Sequence, residues 1–295
     1  MTAVATPVSS DPRSARRSAR SRSSRRIRNP GLLILQAALA RGRVEILQFV
    51  RSRDALVFSM ALPVVMLALF ASIFSGSVAG TSVQYSQLYT AGLLAGGLAS
   101  ISFLSLGTAI ATERENGALK RLASTPMPRT AYFLGKVIVV LVAASLEMCI
   151  LLTVGHFAYG VAVPSSPGRW WTFAWVTVLG GAAMALLGLA ASSLPRSARS
   201  AGAVLTLPFL VLEFISGVFV PFTSLSHGVY AVAGFFPLRW IAEGYRSALL
   251  PSSLQTVEAG HRWNHGEMAV VLAICLVVGL VVSARTFRWT DRHQT

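Results

Sequence analysis

The stretch ATERENGALKRLASTPMPRT, residues 111–130, is the densest block of charge between two long apolar runs. Before it, Ser86 to Thr112 runs apolar and small for 27 residues, and after it Ala131 to Gly160 is again almost wholly apolar. A hydrocarbon core of ~30 Å is crossed by ~20 helical residues. Both runs therefore read as membrane spans, and the charged block as a connector outside the bilayer. At ~1.5 Å per residue the run before it is about 40 Å long, so its end is expected to project beyond the membrane.

The rest of the chain agrees with a membrane reading. Of 295 residues, 54% are hydrophobic and 13% charged, and the mean hydropathy is +0.61, values far from those of an ordinary soluble domain. The net charge is +15, but eight of the 26 basic residues precede residue 30 and most others flank apolar runs. That placement points to membrane topology rather than to a nucleic-acid face, and no aromatic residue is interleaved with the N-terminal arginines. Cys149 and Cys275 each lie inside an apolar run, so no disulfide framework is implied. Arginine outnumbers lysine by 24 to two, a bias that fits GC-rich coding and a bacterial source.

Taken in order, residues 1–30 form an Arg/Ser-rich tail with too little apolar content to bury a core, and are expected to be disordered. Residues 31–55 carry apolar positions at helical spacing with Arg41, Arg43, Arg51 and Arg53 on a basic face, the pattern of an interfacial helix. Six apolar runs follow, at about 56–74, 86–112, 131–160, 170–194, 202–222 and 267–284. Gly92, Gly96 and Gly97 in the second offer a small-residue surface for close packing. Between the fifth and sixth, residues 223–266 hold two moderately apolar stretches too short to span. They read as re-entrant or interfacial helices on the outer side, separated by Pro237 and closed by Pro251. Residues 286–295 form a short basic tail. The fold class is thus an all-α integral membrane protein, six transmembrane helices preceded by an interfacial helix.

Charge tests this count. With the N-terminus inside, the inner segments hold the Arg tail, then Arg114, Lys120, Arg121, Arg129 and Lys136, then Arg196 and Arg199, then Arg285, Arg288 and Arg292. The outer segments hold only Arg169, Arg239, Arg246 and Arg262. The asymmetry favours N-in, C-in topology with the connector in the cytoplasm.

Within the connector, Thr112 and Glu115 are spaced for a capping box, or Gly117 is the C-cap of an extended second span; either way the chain turns near Gly117. Ala118, Leu119 and Leu122 then share one face of a short helix with Lys120 and Arg121 on another, and Pro126 and Pro128 stop it.

The run ERENGALKRLASTP, followed by a span opening with YFLGK, resembles the signature of the ABC-2 family of transporter permeases. The stretches FISGVFVPFTSL, residues 214–225, and FFPLRWIAEGYRSALLP, residues 235–251, resemble the fifth span and outer re-entrant helices of that family. The likeness covers about residues 32–285 and is nearest to the daunorubicin-type drug exporters. It implies a dimer, formed with a second copy or a paralogue, that sits in the bacterial inner membrane. An ABC ATPase subunit carrying ATP and Mg is implied on the cytoplasmic side, with outward transport of a hydrophobic small molecule or lipid-linked substrate. Glu113, Arg114, Glu115, Gly117, Leu119, Lys120, Arg121 and Leu122 match the family's ATPase-coupling region, with Leu119 and Leu122 as an apolar seat. The interfacial helix is implied as a second ATPase contact.

The chain itself offers no phosphate-binding loop: Gly135-Lys136-Val137 lacks both the preceding glycines and the following hydroxyl. No catalytic residue, metal site or bound cofactor is therefore expected, and ATP hydrolysis is assigned to another polypeptide. Glu147 and Glu213 lie near the middle of the third and fifth runs, where an ionised carboxylate is costly unless paired or wetted. They read either as polar points on a substrate path or as acids holding helices together. Two other classes remain open at this point, an ion-coupled transporter or channel built on these glutamates and an intramembrane lipid-modifying enzyme.

Overall fold

The computed structural model describes residues 30–287 apart from 52, 75, 79–80, 126–127, 220–225 and 258–261. The expected N-terminal tail and the C-terminal residues 288–295 lie outside the described residues, as does Pro126. The chain is helical. Helix α1 spans Pro30–Arg51 and α2 spans Arg53–Ile73 with Pro63 inside it. Helix α3, Tyr85–Ala99, passes through a π-helical segment, Ser100–Ser105, into α4, Leu106–Glu115. The short α5 covers Ala118–Ala123. Helices α6, Arg129–Tyr159, α7, Pro167–Ala191, and α8, Ala198–Ile215, follow. Then come α9, His227–Ala233, α10, Pro237–Leu249, a 3-10 turn at Ser252–Val257 and α11, His265–Thr286.

Among the described residues five helical runs are long and apolar enough to cross a membrane: Tyr85–Glu115, Thr130–Tyr159, Pro167–Ala191, Ala198–Ile215 and His265–Thr286. Helix α2 contributes a shorter apolar stretch, Met60–Ile73. Local chemistry sets the ends of these elements. Ser166 caps α7 by accepting from the Arg169 N–H at 3.4 Å, with Pro167 at the first helical position. Ser197 and Ser200 form a reciprocal capping box at the start of α8. Gly160, in the left-handed region, terminates α6.

The second span departs from a plain α-helix. Its middle turn is π-helical, and there the backbone of Phe103 meets α7 at Gly188. A Cβ on Gly188 would stand 2.6 Å from the Phe103 carbonyl oxygen and 2.8 Å from its Cα. The π turn widens the helix by one residue, and the glycine opposite makes room for it. Periodicity could not reveal this, because an extra residue in one turn leaves a uniformly apolar run apolar.

The glycines at the start of this span also act differently from a helix-packing stripe. A Cβ at Gly92 would fall 2.3 Å from the carbonyl oxygen of Val218. At Gly96 it would fall 2.8 Å from a carboxylate oxygen of Glu213, and at Gly97 2.2 Å from one of Glu147. The three notches hold a carbonyl and two carboxylates rather than the ridge of a neighbouring helix.

Helix α10 is the centre of the opposite end of the bundle, away from the connector. Each of its residues is buried, Arg239, Glu243 and Arg246 included. It packs on α7 through two reciprocal glycine contacts, Ile241 against Gly180 and Val176 against Gly244. Polar groups tie it to three other elements. The Arg246 guanidinium donates to the Gly217 carbonyl at 3.0 Å, Gln87 of α3 donates to the Leu249 carbonyl at 2.8 Å, and the Glu243 carboxylate accepts from the Asn264 N–H at 3.3 Å. Helix α10 is thus inserted among the other helices rather than laid on their surface.

The Gly188 contact is between backbones, which cannot swing aside as a side chain can. Gly188→Ala is expected to destabilise the protein by about 1–3 kcal/mol, seen as a lowered Tm in detergent. Gly168→Ala, in α7 with nothing within 4 Å of the added methyl, is expected to leave Tm unchanged or slightly raised.

Candidate functional site

The three residues Glu113, Arg114 and Glu115 end the second span, and each reaches a different part of the bundle. Glu113 accepts from the Tyr132 hydroxyl at 2.9 Å and from the Lys136 ammonium at 2.5 Å, both on α6. Arg114 donates to the Ser192 carbonyl at 2.8 Å and to its hydroxyl at 3.3 Å, at the C-terminus of α7. The Glu115 carboxylate accepts from the backbone N–H of Ala198, the first residue of α8. The last two contacts match helix-end polarity, a cation at carbonyl ends and an anion at N–H ends. Glu113 is the reverse case. It lies in the last turn of α4, where the helix's own carbonyl ends are partially negative, so it depends on nearby cations.

Those cations form a cluster with α1. Glu45 lies 2.7 Å from Arg41 on the same helix and 3.0 Å from Lys136, and Arg41 stands 3.7 Å from Glu113. Two cations face two anions, and the Lys136 side chain is only 5% exposed. Removing one member of such a buried set leaves an uncompensated charge, at a cost of about 3–5 kcal/mol. Two glycines let the helices come this close. A Cβ on Gly135 would meet the Arg41 side chain at 3.2 Å and the Ala38 carbonyl at 3.3 Å, and one on Gly42 would meet Ile138 at 3.3 Å. A cavity of about 360 Å³ opens beside the cluster, its lining including Gln48, Phe49, Ile101, Ser105 and Val140 as well as the charged groups.

The connector turns where expected, and of the two turn chemistries the glycine one is present. Gly117 has φ 68° and ψ 10°, in the left-handed region that favours glycine, and its N–H donates to the Arg114 carbonyl at 3.2 Å. The Thr112 hydroxyl donates instead to the Thr108 carbonyl at 3.0 Å, so no Thr112–Glu115 capping box exists.

Of the two leucines expected as an apolar seat, Leu119 packs inward. Leu119 is fully buried and belongs to the main core, and Leu122 is half-buried against it. A surface helix of six residues cannot hold itself in water, and its leucines anchor it to the bundle rather than waiting for a partner. Lys120 and Arg121 are exposed; the Arg121 guanidinium reaches the Asn116 carbonyl at 3.4 Å across the turn.

The two acids in the spans are brought near one another without being joined. Adjacent glycines of α3 receive Glu213 from α8 and Glu147 from α6, and successive helical residues point to different faces. Both side chains are buried, and among the described residues Oε2 of Glu147 has no hydrogen-bond partner. Among the described residues no three His, Cys, Asp or Glu side chains stand together as a metal site requires.

Sequence reasoning missed Arg41, Glu45, Tyr132 and Lys136 as members of one site. The available signal was spacing: Arg41 with Glu45, and Tyr132 with Lys136, are each i,i+4 pairs and so share a helix face. Of the basic face expected on α1, Arg43 and Arg51 are exposed while Arg41 turns inward.

A search of curated proteins finds no match to the chain. The family described as ABC-2 type transporter matches residues 37–250, a stretch that contains α10, the connector and every member of the charge cluster. The chain belongs to the ABC-2 type transporter family and is a membrane permease subunit of a transporter.

Proposed function

We propose that the chain is the membrane subunit of an ATP-driven exporter that moves a hydrophobic or amphipathic compound, such as a drug, lipid or lipid-linked substrate, out across a bacterial inner membrane. In this reading α2 is the first of six spans, and both termini and the connector lie on the cytoplasmic side. The functional unit is a dimer, with a second copy or a paralogue. Membership of the family implies an ABC ATPase partner in general, and that partner carries the ATP and Mg.

The observation that carries this reading is the anchoring of the connector. Glu113, Arg114, Glu115 and Leu119 fasten it to α1, α6, α7, α8 and the core, while Lys120 and Arg121 face outward. A surface held at so many points cannot yield locally. Force applied to its outward face passes to the spans. In this scheme Lys120 and Arg121 give the ATPase contact its register, Gly117 sets the turn, and Leu119 and Leu122 hold α5 in place. Helix α1 is the second ATPase contact. Glu147 and Glu213 are the candidate polar points along the substrate path.

Purified alone, the chain is expected to hydrolyse no ATP. With its ATPase in inverted vesicles it is expected to accumulate substrate only when ATP is supplied. Accumulation that persists without ATP and collapses with the proton gradient would instead establish an ion-coupled transporter. The two faces of α5 separate by mutation. Lys120→Glu with Arg121→Glu is expected to weaken ATPase association at least tenfold with little change in Tm. Leu119→Ala is expected to lower stability by about 2–5 kcal/mol, measured by thermal unfolding of the permease without its partner.

A further inference from the structure

Helix α1 and the connector are far apart in sequence, and one side chain touches acids from both. The Lys136 ammonium lies 3.0 Å from Glu45 of α1 and 2.5 Å from Glu113 at the end of α4. Arg41 faces the same two carboxylates, but it is 20% exposed and 3.7 Å from Glu113. Tyr132, one turn before Lys136 on α6, holds the second oxygen of Glu113. Around this point the Gly42 and Gly135 contacts leave no slack between α1 and α6.

We propose that Lys136 is a positioning residue for energy coupling: it locks α1, the root of the connector and the start of α6 into one block. Displacement at either ATPase contact then moves both together and enters the long span α6 directly. This inference rests on the exporter reading. It also gives the YFLGK stretch a physical role. Tyr132 and Lys136 grip Glu113, and Gly135 admits the stem of Arg41.

Two features separate a positioning role from a merely stabilising one. Removing Lys136 leaves Glu45 and Glu113 with Arg41 alone, which unbalances the cluster and loosens its link to the connector at once. Removing Lys136 and Glu45 together restores the balance, because Arg41 still faces Glu113 at 3.7 Å, yet both salt links of α6, to α1 and to the connector, stay broken. Stability and coupling should therefore part company in the double variant.

The test uses the assembled complex with its ATPase. Lys136→Met is expected to lower both Tm and the transport per ATP hydrolysed, the latter about tenfold. Lys136→Arg, which keeps the charge, is expected to recover most of both. Lys136→Met with Glu45→Gln, which removes one charge of each sign, is expected to recover Tm but not transport per ATP. Recovery of transport along with Tm in that double variant would overturn the proposal.

A second measurement reads the block itself. In a background with Cys149 and Cys275 replaced by alanine, spin labels at exposed Ala40 on α1 and exposed Ser124 after α5 are expected to keep one narrow distance with and without ATP. In Lys136→Met the distance is expected to broaden or shift on ATP binding. A distance that changes with ATP in the otherwise unmodified protein, or stays narrow in Lys136→Met, would contradict the proposal. Should the unmodified complex show no ATP-dependent transport, the exporter reading fails on its own, and the label distances still decide whether Lys136 holds the block together.

Discussion

A carboxylate at the C-terminal end of a helix is in the wrong place electrostatically, and Glu113 occupies that place at the end of the second span. It is stable there because Lys136 and Arg41 reach it from α6 and α1. Much of the connector end of the bundle follows from this requirement. Helix α1 must lie against α6 closely enough for Arg41 and Glu45 to join the cluster, which places Gly42 and Gly135 at the crossing. The neighbouring Arg114 and Glu115 then close the α7–α8 corner by meeting helix ends of the opposite polarity. A three-residue charged stretch thereby fixes the relative positions of five helices.

The opposite end is built on another scheme. There α10 brings three charged residues into the bundle interior; Arg246 and Glu243 meet backbone groups of surrounding elements, and Arg239 donates to the Tyr230 hydroxyl. Irregular backbone buried from water needs protein partners for its polar groups, and the turn after α8, whose Gly217 carbonyl is met by Arg246 and whose Val218 carbonyl rests on Gly92, is an instance. The connector end thus joins elements through side-chain charge. The α10 end joins them through burial of a whole helix. The spans between carry glycine notches, filled by the carboxylates of Glu147 and Glu213, that couple α3 to both α6 and α8.

How much of this was legible in the sequence depends on the length scale of each signal. Apolar runs of twenty residues are large signals, and they located most of the long helices and the charged connector between two of them. The turn at Gly117 was legible because a glycine between charged helical stretches has few other uses. The orientation of α5 was not legible. A short helix with leucines on one face reads the same whether those leucines meet a partner or the protein's own core, and only packing decides that Leu119 points inward. The π turn at Ser100–Ser105 and the cluster of Arg41, Glu45, Glu113 and Lys136 were hidden for a related reason. Both arise from residues that meet across helices, and a single sequence records spacing within a helix but not register between helices.

The connector is proposed to be the ATPase-facing surface of a rigidly held end of the bundle. A photo-crosslinking residue placed in turn at Arg121 and at Phe157, in the assembled complex, tests this most directly. Both positions are exposed, but they lie at opposite ends of the bundle, one in α5 and one near the far end of α6. The account predicts a covalent adduct with the ATPase from position 121 and none from position 157. An adduct from position 157, or none from position 121 while the ATPase remains bound, would contradict it.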